Sequence, residues 1–175
     1  MCDREGRRKK YKPSGRINVL FVGESPPEKT YFYCCDSNLF HWFIEAFLHV
    51  PELRVSTNDC ERFLDCFQRM GMYIEDISGT PINYEKSKSK RKTLRKDAAK
   101  DLTDRLRKLQ PARVVALMKG IGDLVDSKVS EAELTIDHPI PSVNFPTNGH
   151  QHQFVEDMAA LLREYLREGA ISPCN

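Results

Sequence analysis

Apolar and polar positions divide the chain into alternating short runs and amphipathic stretches. Residues 17–22 form an apolar run closed by Gly23 and the Pro26-Pro27 pair, which predicts a buried strand ending abruptly in a loop. Asp36 or Ser37 can then cap a helix. Its apolar positions Leu39, Phe40, Phe43, Ile44, Phe47 and Leu48 recur at three- and four-residue steps until Pro51. A second helix is expected from about residue 57, carrying Phe63, Leu64 and Phe67 and ending at Gly71. Residues 72–77 read as a second strand. A loop over residues 78–92 precedes a long helix over residues 93–109, whose stripe is Leu94, Ala98, Leu102, Leu106 and Leu109. Residues 114–117 read as a third strand, leading through Gly120 into a short helix with Leu124 and Val125. Residues 141–145 read as a fourth. Phe154, Met158, Leu161, Leu162 and Tyr165 mark a final amphipathic helix.

Strands alternating with helices imply parallel strands joined by crossover helices. The expected fold is α/β: a three-layer sandwich with a short, four-stranded parallel sheet (order 2-1-3-4) flanked by helices. It forms a single domain over residues 16–170. Residues 1–15 are polar, basic and without hydrophobic periodicity, so they are expected to form a mobile arm. In open parallel sheets, ligands bind outside the carboxyl ends of the strands, where strand order reverses. The loops after Val22, Ile77, Leu117 and Phe145 are therefore the places to look for chemistry.

Composition adds constraints. The 175 residues are 40% hydrophobic and 30% charged, a balance that supports one globular domain with its own core. No apolar run approaches the ~18 residues of a membrane span, and the N-terminus lacks a signal-peptide core, so a cytoplasmic protein with no membrane partner is expected; it is also expected to be a monomer. The net charge is only +2, but the cations cluster. Arg4, Arg7, Arg8, Lys9, Lys10, Lys12 and Arg16 form one group, and Lys86, Lys88, Lys90, Arg91, Lys92, Arg95 and Lys96 another. Either alone reads as a solvated tail or loop. Together they bring a nucleic-acid partner level with that plain reading, because clustered cations release counterions from a phosphate backbone. Cys2, Cys34, Cys35, Cys60, Cys66 and Cys174 include no C-x-x-C pair. They are expected to be reduced thiols, without a disulfide framework or metal site.

The string Val19-Leu20-Phe21-Val22-Gly23-Glu24-Ser25-Pro26-Pro27 resembles the first signature of the uracil-DNA glycosylase superfamily, V-L-F-V-G-E-A-P-G in its thermostable bacterial and archaeal branch. Three weaker likenesses follow in the same order. Tyr73-Ile74-Glu75-Asp76-Ile77 resembles the second strand, Y-I-T-N-V. Pro111-Ala112-Arg113-Val114-Val115-Ala116-Leu117 resembles the third, P-x-V-I-V-A-L-G. Val143-Asn144-Phe145-Pro146-Thr147 stands where the family has T-Y-H-P-S. The resemblance covers about residues 17 to 165, and the G-E-x-P string is its most specific part. This chain departs from the family in three ways. It has no cysteines in register for the branch's iron-sulfur cluster, so no cofactor is expected. Asp76 replaces the asparagine that reads uracil, and Phe145 replaces the histidine that helps the departing base.

The resemblance implies a DNA glycosylase acting on a deaminated or damaged base flipped from DNA. Tyr31-Phe32-Tyr33 would supply the stacking wall, from Phe32 or Tyr33. Glu24 would orient water or offset charge on the sugar, and Ser25 would position water. Asp76 would meet the base edge, with Asn83 as a fallback, and Gly23, Pro26, Phe145 and Asn148 would complete the base pocket. His150 and His152 would reach back to the leaving base. Their H-x-H spacing lacks the Cys or acidic partner that a metal site would need. Lys88, Arg91, Lys92 and Arg95 would contact DNA phosphates. Each assignment has a plain counterpart: a Glu on a tight turn, an Asp capping a strand end, two loop histidines in solvent, aromatics packed under a sheet edge. Two further functions compete with the enzyme. One is a nucleic-acid or nucleobase-binding module of the same fold without chemistry; the other is a nucleotide hydrolase or transferase using the same crevice.

Overall fold

All five residues of Val19–Gly23 (β1) are buried, as expected for a strand covered on both faces. In the computed structural model, which describes residues 2 to 174, β1 lies between Met72–Asp76 (β2) and Val114–Ala116 (β3). All pairings are parallel, in the order β2-β1-β3. The register sets Val19 opposite Met72 and, at the carboxyl edge, Gly23 opposite Asp76.

The sheet has three strands, which corrects the expected four. The segment after Pro141 contributes one isolated parallel bridge, between Ala116 and Ser142. Pro139, Pro141 and Pro146 remove three amide donors from this stretch, and the Ile140 amide goes instead to Asp126 Oδ1 at 2.9 Å. A longer ladder therefore has too few N–H groups to form.

Seven helices among the described residues flank the sheet: α1 (Arg4–Lys10), α2 (Asn38–Leu48), α3 (Cys60–Arg69), α4 (Lys88–Ala98), α5 (Leu102–Leu109), α6 (Gly122–Glu131) and α7 (Gln151–Arg167). Ser37 caps α2 by accepting the Phe40 amide at 3.1 Å. The Phe21 ring meets Phe43 of α2 edge-on at 5.2 Å and Phe67 of α3 at 6.0 Å, and Phe154 of α7 lies 5.5 Å from Phe43. Strand alternation turns Leu20 and Val22 to the opposite face, where they are equally buried. Helices α5 and α6 pack on each other and add Leu102, Leu106, Val125 and Val129 to the same core. No helix among the described residues is long and apolar enough to cross a membrane.

Three further expectations are revised. The helix expected over residues 93–109 is two, α4 and α5, interrupted at residues 99–101. The interruption lets α4 turn so that Arg91 and Arg95 reach Glu24, while α5 buries Leu102 and Leu106. The expected mobile arm carries α1, capped by Asp3 and docked through ion pairs from Arg7 and Lys10 to Glu61 and from Arg8 to Glu75. Tyr11, fully buried, closes the segment and stacks on Tyr33 at 6.2 Å. The six cysteines are paired as Cys2–Cys34, Cys35–Cys60 and Cys66–Cys174 rather than reduced. The partners are 32, 25 and 108 residues apart, so no local spacing could reveal them.

Strand β2 is an edge, and the Tyr33 hydroxyl covers part of it. It accepts the Ile74 amide at 2.8 Å and donates to the Ile74 carbonyl at 3.4 Å, with no exposure to solvent. Replacing Tyr33 by Phe strands a buried amide, at a cost of about 1–3 kcal/mol. Urea denaturation of Tyr33→Phe with the disulfides intact should show that loss. An unchanged midpoint would mean that the edge amide finds another partner.

Candidate functional site

The loops leaving the carboxyl edge of the three strands converge on a cavity of about 410 Å³, within the size range of small-molecule sites. Gly23, Glu24 and Ser25 enter it from the end of β1, and Asp76 from the end of β2. Met118 enters after β3, and Phe145, Thr147 and Asn148 come from the segment before α7. Tyr31, Phe32 and Tyr33 form the aromatic wall. Arg91 and Arg95 of α4 close the opposite side, with Asn83 beside them. A second cavity of about 650 Å³ adjoins it, and Tyr31 and Asp76 line both.

Not every expected residue arrives there. Pro26 lines only the adjoining cavity. His150 and His152 are exposed, at the cap and second residue of α7, and neither lines a cavity. Lys88 and Lys92 are exposed on α4, outside the cavity wall. Phe32 and Tyr33 are the buried part of the aromatic wall: Phe32 packs among Phe40, Phe43 and Phe67, and Tyr33 is held on β2. The half-buried ring of the three is Tyr31. Ser25 Oγ accepts the Ile82 amide at 3.3 Å and so ties the loop after β2 to the loop after β1.

The carboxylates at the edge have sharply different surroundings. Glu24 is held by two arginines: Arg91 donates from Nε to Oε1 at 2.9 Å and from Nη2 to Oε2, and Arg95 donates from Nε to Oε1. Glu75, 7% exposed, takes Arg8 at 2.8 Å and Arg105 at 2.9 Å. Asp76 has no such partner; among the described residues its carboxyl accepts no hydrogen bond. Arg105 lies close by, but its Nη1 and Nη2 donate to the backbone carbonyls of Asp76 and Ile77, each at 2.7 Å. Burial is the main cause that pushes the Asp76 carboxyl up to about 7. The neighbouring charge of Glu75 and, more weakly, that of Glu24 add to it, while Arg105 and Arg8 pull the other way. Burial likewise raises the Tyr31 and Tyr33 phenols, so both stay neutral donors.

Gly23 makes this arrangement possible, because a Cβ there would collide with Asp76 Oδ1. The residues missed by sequence reasoning are Asn38, Arg105 and Glu75. Asn38 lines the cavity and donates to the Pro146 carbonyl at 2.7 Å, 108 residues away. Arg105 sits on an ordinary amphipathic helix and carries no local signal. Glu75 is read from sequence only as the neighbour of Asp76.

No family model, curated protein or solved structure matches this chain. The site's meaning therefore rests on its geometry. Among the described residues, no group of three or more His, Cys, Asp or Glu side chains is placed to hold a metal ion.

Asp76 makes stability depend on pH. Its folded value of about 7 lies above the ordinary 3.8, so the folded state binds the proton more tightly. Its favourable contribution is complete below pH 4 and is lost as pH rises to about 7. Asp76→Asn removes this loss. The variant should gain on the order of 2 kcal/mol over the native chain at pH 8, once partial solvent access is allowed for, and almost nothing at pH 4. Paired urea titrations at the two pH values measure the difference. An equal effect at both would show that Asp76 is ionised throughout.

Proposed function

We propose that this chain binds DNA along α4, receives one extruded base in the 410 Å³ cavity and hydrolyses its N-glycosidic bond, as in the uracil-DNA glycosylase superfamily its motifs resemble. The observation that carries the reading is Asp76: an unpaired carboxyl, poised near neutrality, in a cavity whose other charged groups, Glu24, Arg91 and Arg95, are paired with one another. When protonated, it offers one O–H donor and one acceptor oxygen. That is the pair an asparagine amide offers to O4 and N3–H of uracil. When ionised it only accepts, and it repels O4. Base reading of an imide edge therefore belongs to the protonated form.

The chemistry needs a water whose oxygen bonds to C1′ as the C1′–N bond breaks and its electron pair leaves with the base. One water proton passes to a carboxylate and then to the base, so base and sugar each end neutral. Glu24 is the carboxylate at the right edge for this transfer and for offsetting cationic charge on the sugar. Phe145 cannot donate to the departing base, and the two histidines stay outside the cavity. The Asp76 O–H is then the donor that meets the developing negative charge.

A second reading is a binding module without hydrolysis. It is favoured by one observation: both Glu24 oxygens are engaged by arginines, so Glu24 offers no free oxygen to a water in the cavity.

Single-stranded and duplex oligonucleotides carrying uracil, hypoxanthine or xanthine, followed by alkaline cleavage of abasic sites, decide between the two. The glycosylase reading expects cleavage of uracil to fall as pH rises from 6 to 8. It also expects Asp76→Asn to raise the rate about tenfold at pH 8, where about a tenth of Asp76 is protonated, and less than twofold at pH 6. Salt-sensitive binding with no cleavage of any base would leave the module. A uracil rate that rises with pH in the native chain would remove the donor role from Asp76.

A further inference from the structure

The pair Arg91 and Arg95 lies one helical turn apart on α4, and both guanidiniums converge on a single carboxylate. Two cations and one anion leave the cluster with a surplus positive charge. Its donors are not exhausted: among the described residues Arg91 Nη1 and both Arg95 Nη groups make no hydrogen bond. The arginine side chains are 30% and 20% exposed, against 9% for Glu24, so a solute reaches the guanidiniums more readily than the carboxylate they hold. Exposed Lys88, Lys92 and Lys96 continue the positive charge along the same helix.

Fork-shaped guanidiniums bind phosphate in the same bidentate manner as carboxylate, and phosphate brings more negative charge and more acceptor oxygens. We propose that Arg91 and Arg95 form a phosphate site which Glu24 occupies in the free protein, and that an incoming phosphate displaces Glu24 and frees its carboxylate to face the cavity. The ligand is the phosphodiester of a nucleic-acid strand, so the inference rests on the DNA-binding reading above. It adds a consequence: the group needed for water activation becomes available only when a strand is bound. Before that, both oxygens of Glu24 are held by the arginines.

A purely structural Glu24 and an exchanging one differ in what Glu24→Gln does. If Glu24 only buttresses α4, neutralising it loosens the helix and weakens binding. If it competes with phosphate, neutralising it tightens binding. Fluorescence anisotropy with a labelled ten-nucleotide thymidine strand at 50 mM salt should show Glu24→Gln binding about five- to tenfold tighter than the native chain. The double variant Arg91→Gln, Arg95→Gln should bind at least tenfold weaker, with a salt slope reduced by about 1 to 2. Equal or weaker binding by Glu24→Gln overturns the proposal.

The native chain provides a test that needs no folded variant. The Arg91 and Arg95 Nε–H signals and the Glu24 carboxyl carbon signal should shift together as the strand is titrated in. A Glu24 signal unmoved at saturation overturns the exchange. Inorganic phosphate separates the two sources of the same chemistry. If it shifts these signals and the strand does not bind, the exchange site stands and the DNA reading falls; if neither ligand shifts them, both fall. Because every measurement reads binding, a chain that cleaves no base can still pass.

Discussion

A side chain at position 23 would occupy the space that Asp76 Oδ1 now fills. Parallel register brings these two residues level at the carboxyl edge, on the central strand and its neighbour. With glycine at that point the carboxyl opposite leans over the end of β1, and any Cβ there would have to push it aside. This close approach holds the half-buried Asp76 side chain, with no hydrogen-bond partner on its carboxyl among the described residues, where it lines both cavities. Glu75, one residue earlier, turns the other way by strand alternation and takes the available cations. Two arginines hold the Glu75 carboxylate, while the Asp76 carboxyl beside it has no such partner and is pushed up to about 7, mainly by burial.

The two basic clusters, alike in composition, are engaged differently. In α1 the arginines turn inward. Arg4 donates to the Pro27 and Glu28 carbonyls, Arg7 to the Tyr33 carbonyl and Glu61, and Arg8 to Glu75. This cluster is a clasp that ties the N-terminal segment to the loop after β1, to α3 and to β2. In α4 only Arg91 and Arg95 turn inward, to Glu24, and four lysines of the same helix remain exposed. The case for a polyanionic partner therefore rests on α4. Summing both clusters overstates the charge available for binding.

Much of the framework was legible because its causes are local. The apolar run before Gly23, the serine capping α2 and the loops at strand ends depend on residues a few positions apart. The rule that open sheets bind at their carboxyl edge then located the cavity. What escaped depends on distant partners. Helix α1 has no apolar face of its own, and its anchors Glu61 and Glu75 lie 54 and 67 residues from Arg7 and Arg8. The missing fourth strand reflects prolines that a count of apolar residues overlooks. His150 and His152 stand close in sequence to cavity residues Thr147 and Asn148, but the chain turns into α7 between them and leaves both in solvent. Among Tyr31, Phe32 and Tyr33, the pattern could not say which ring stays accessible, since that depends on which side the tight turn at residues 32–34 presents to the core.

The walls of the cavity are built by different means, and this bears on which of them can yield. The aromatic wall is fixed by neighbouring half-cystines: Cys34 is joined to Cys2 before α1, and Cys35 to Cys60 at the start of α3. The Tyr33 hydroxyl and carbonyl are both hydrogen-bonded, and Phe32 is enclosed by other rings. The facing wall, α4, has no buried residue, and its polar attachment to the sheet edge is the ion-paired cluster at Glu24. Segments with few buried contacts open at lower cost than those in the core. A ligand entering this cavity therefore meets a rigid stacking surface on one side and an electrostatic latch on the other. Only the latch can rearrange without unpacking the core, and it is also the wall that carries the positive charge.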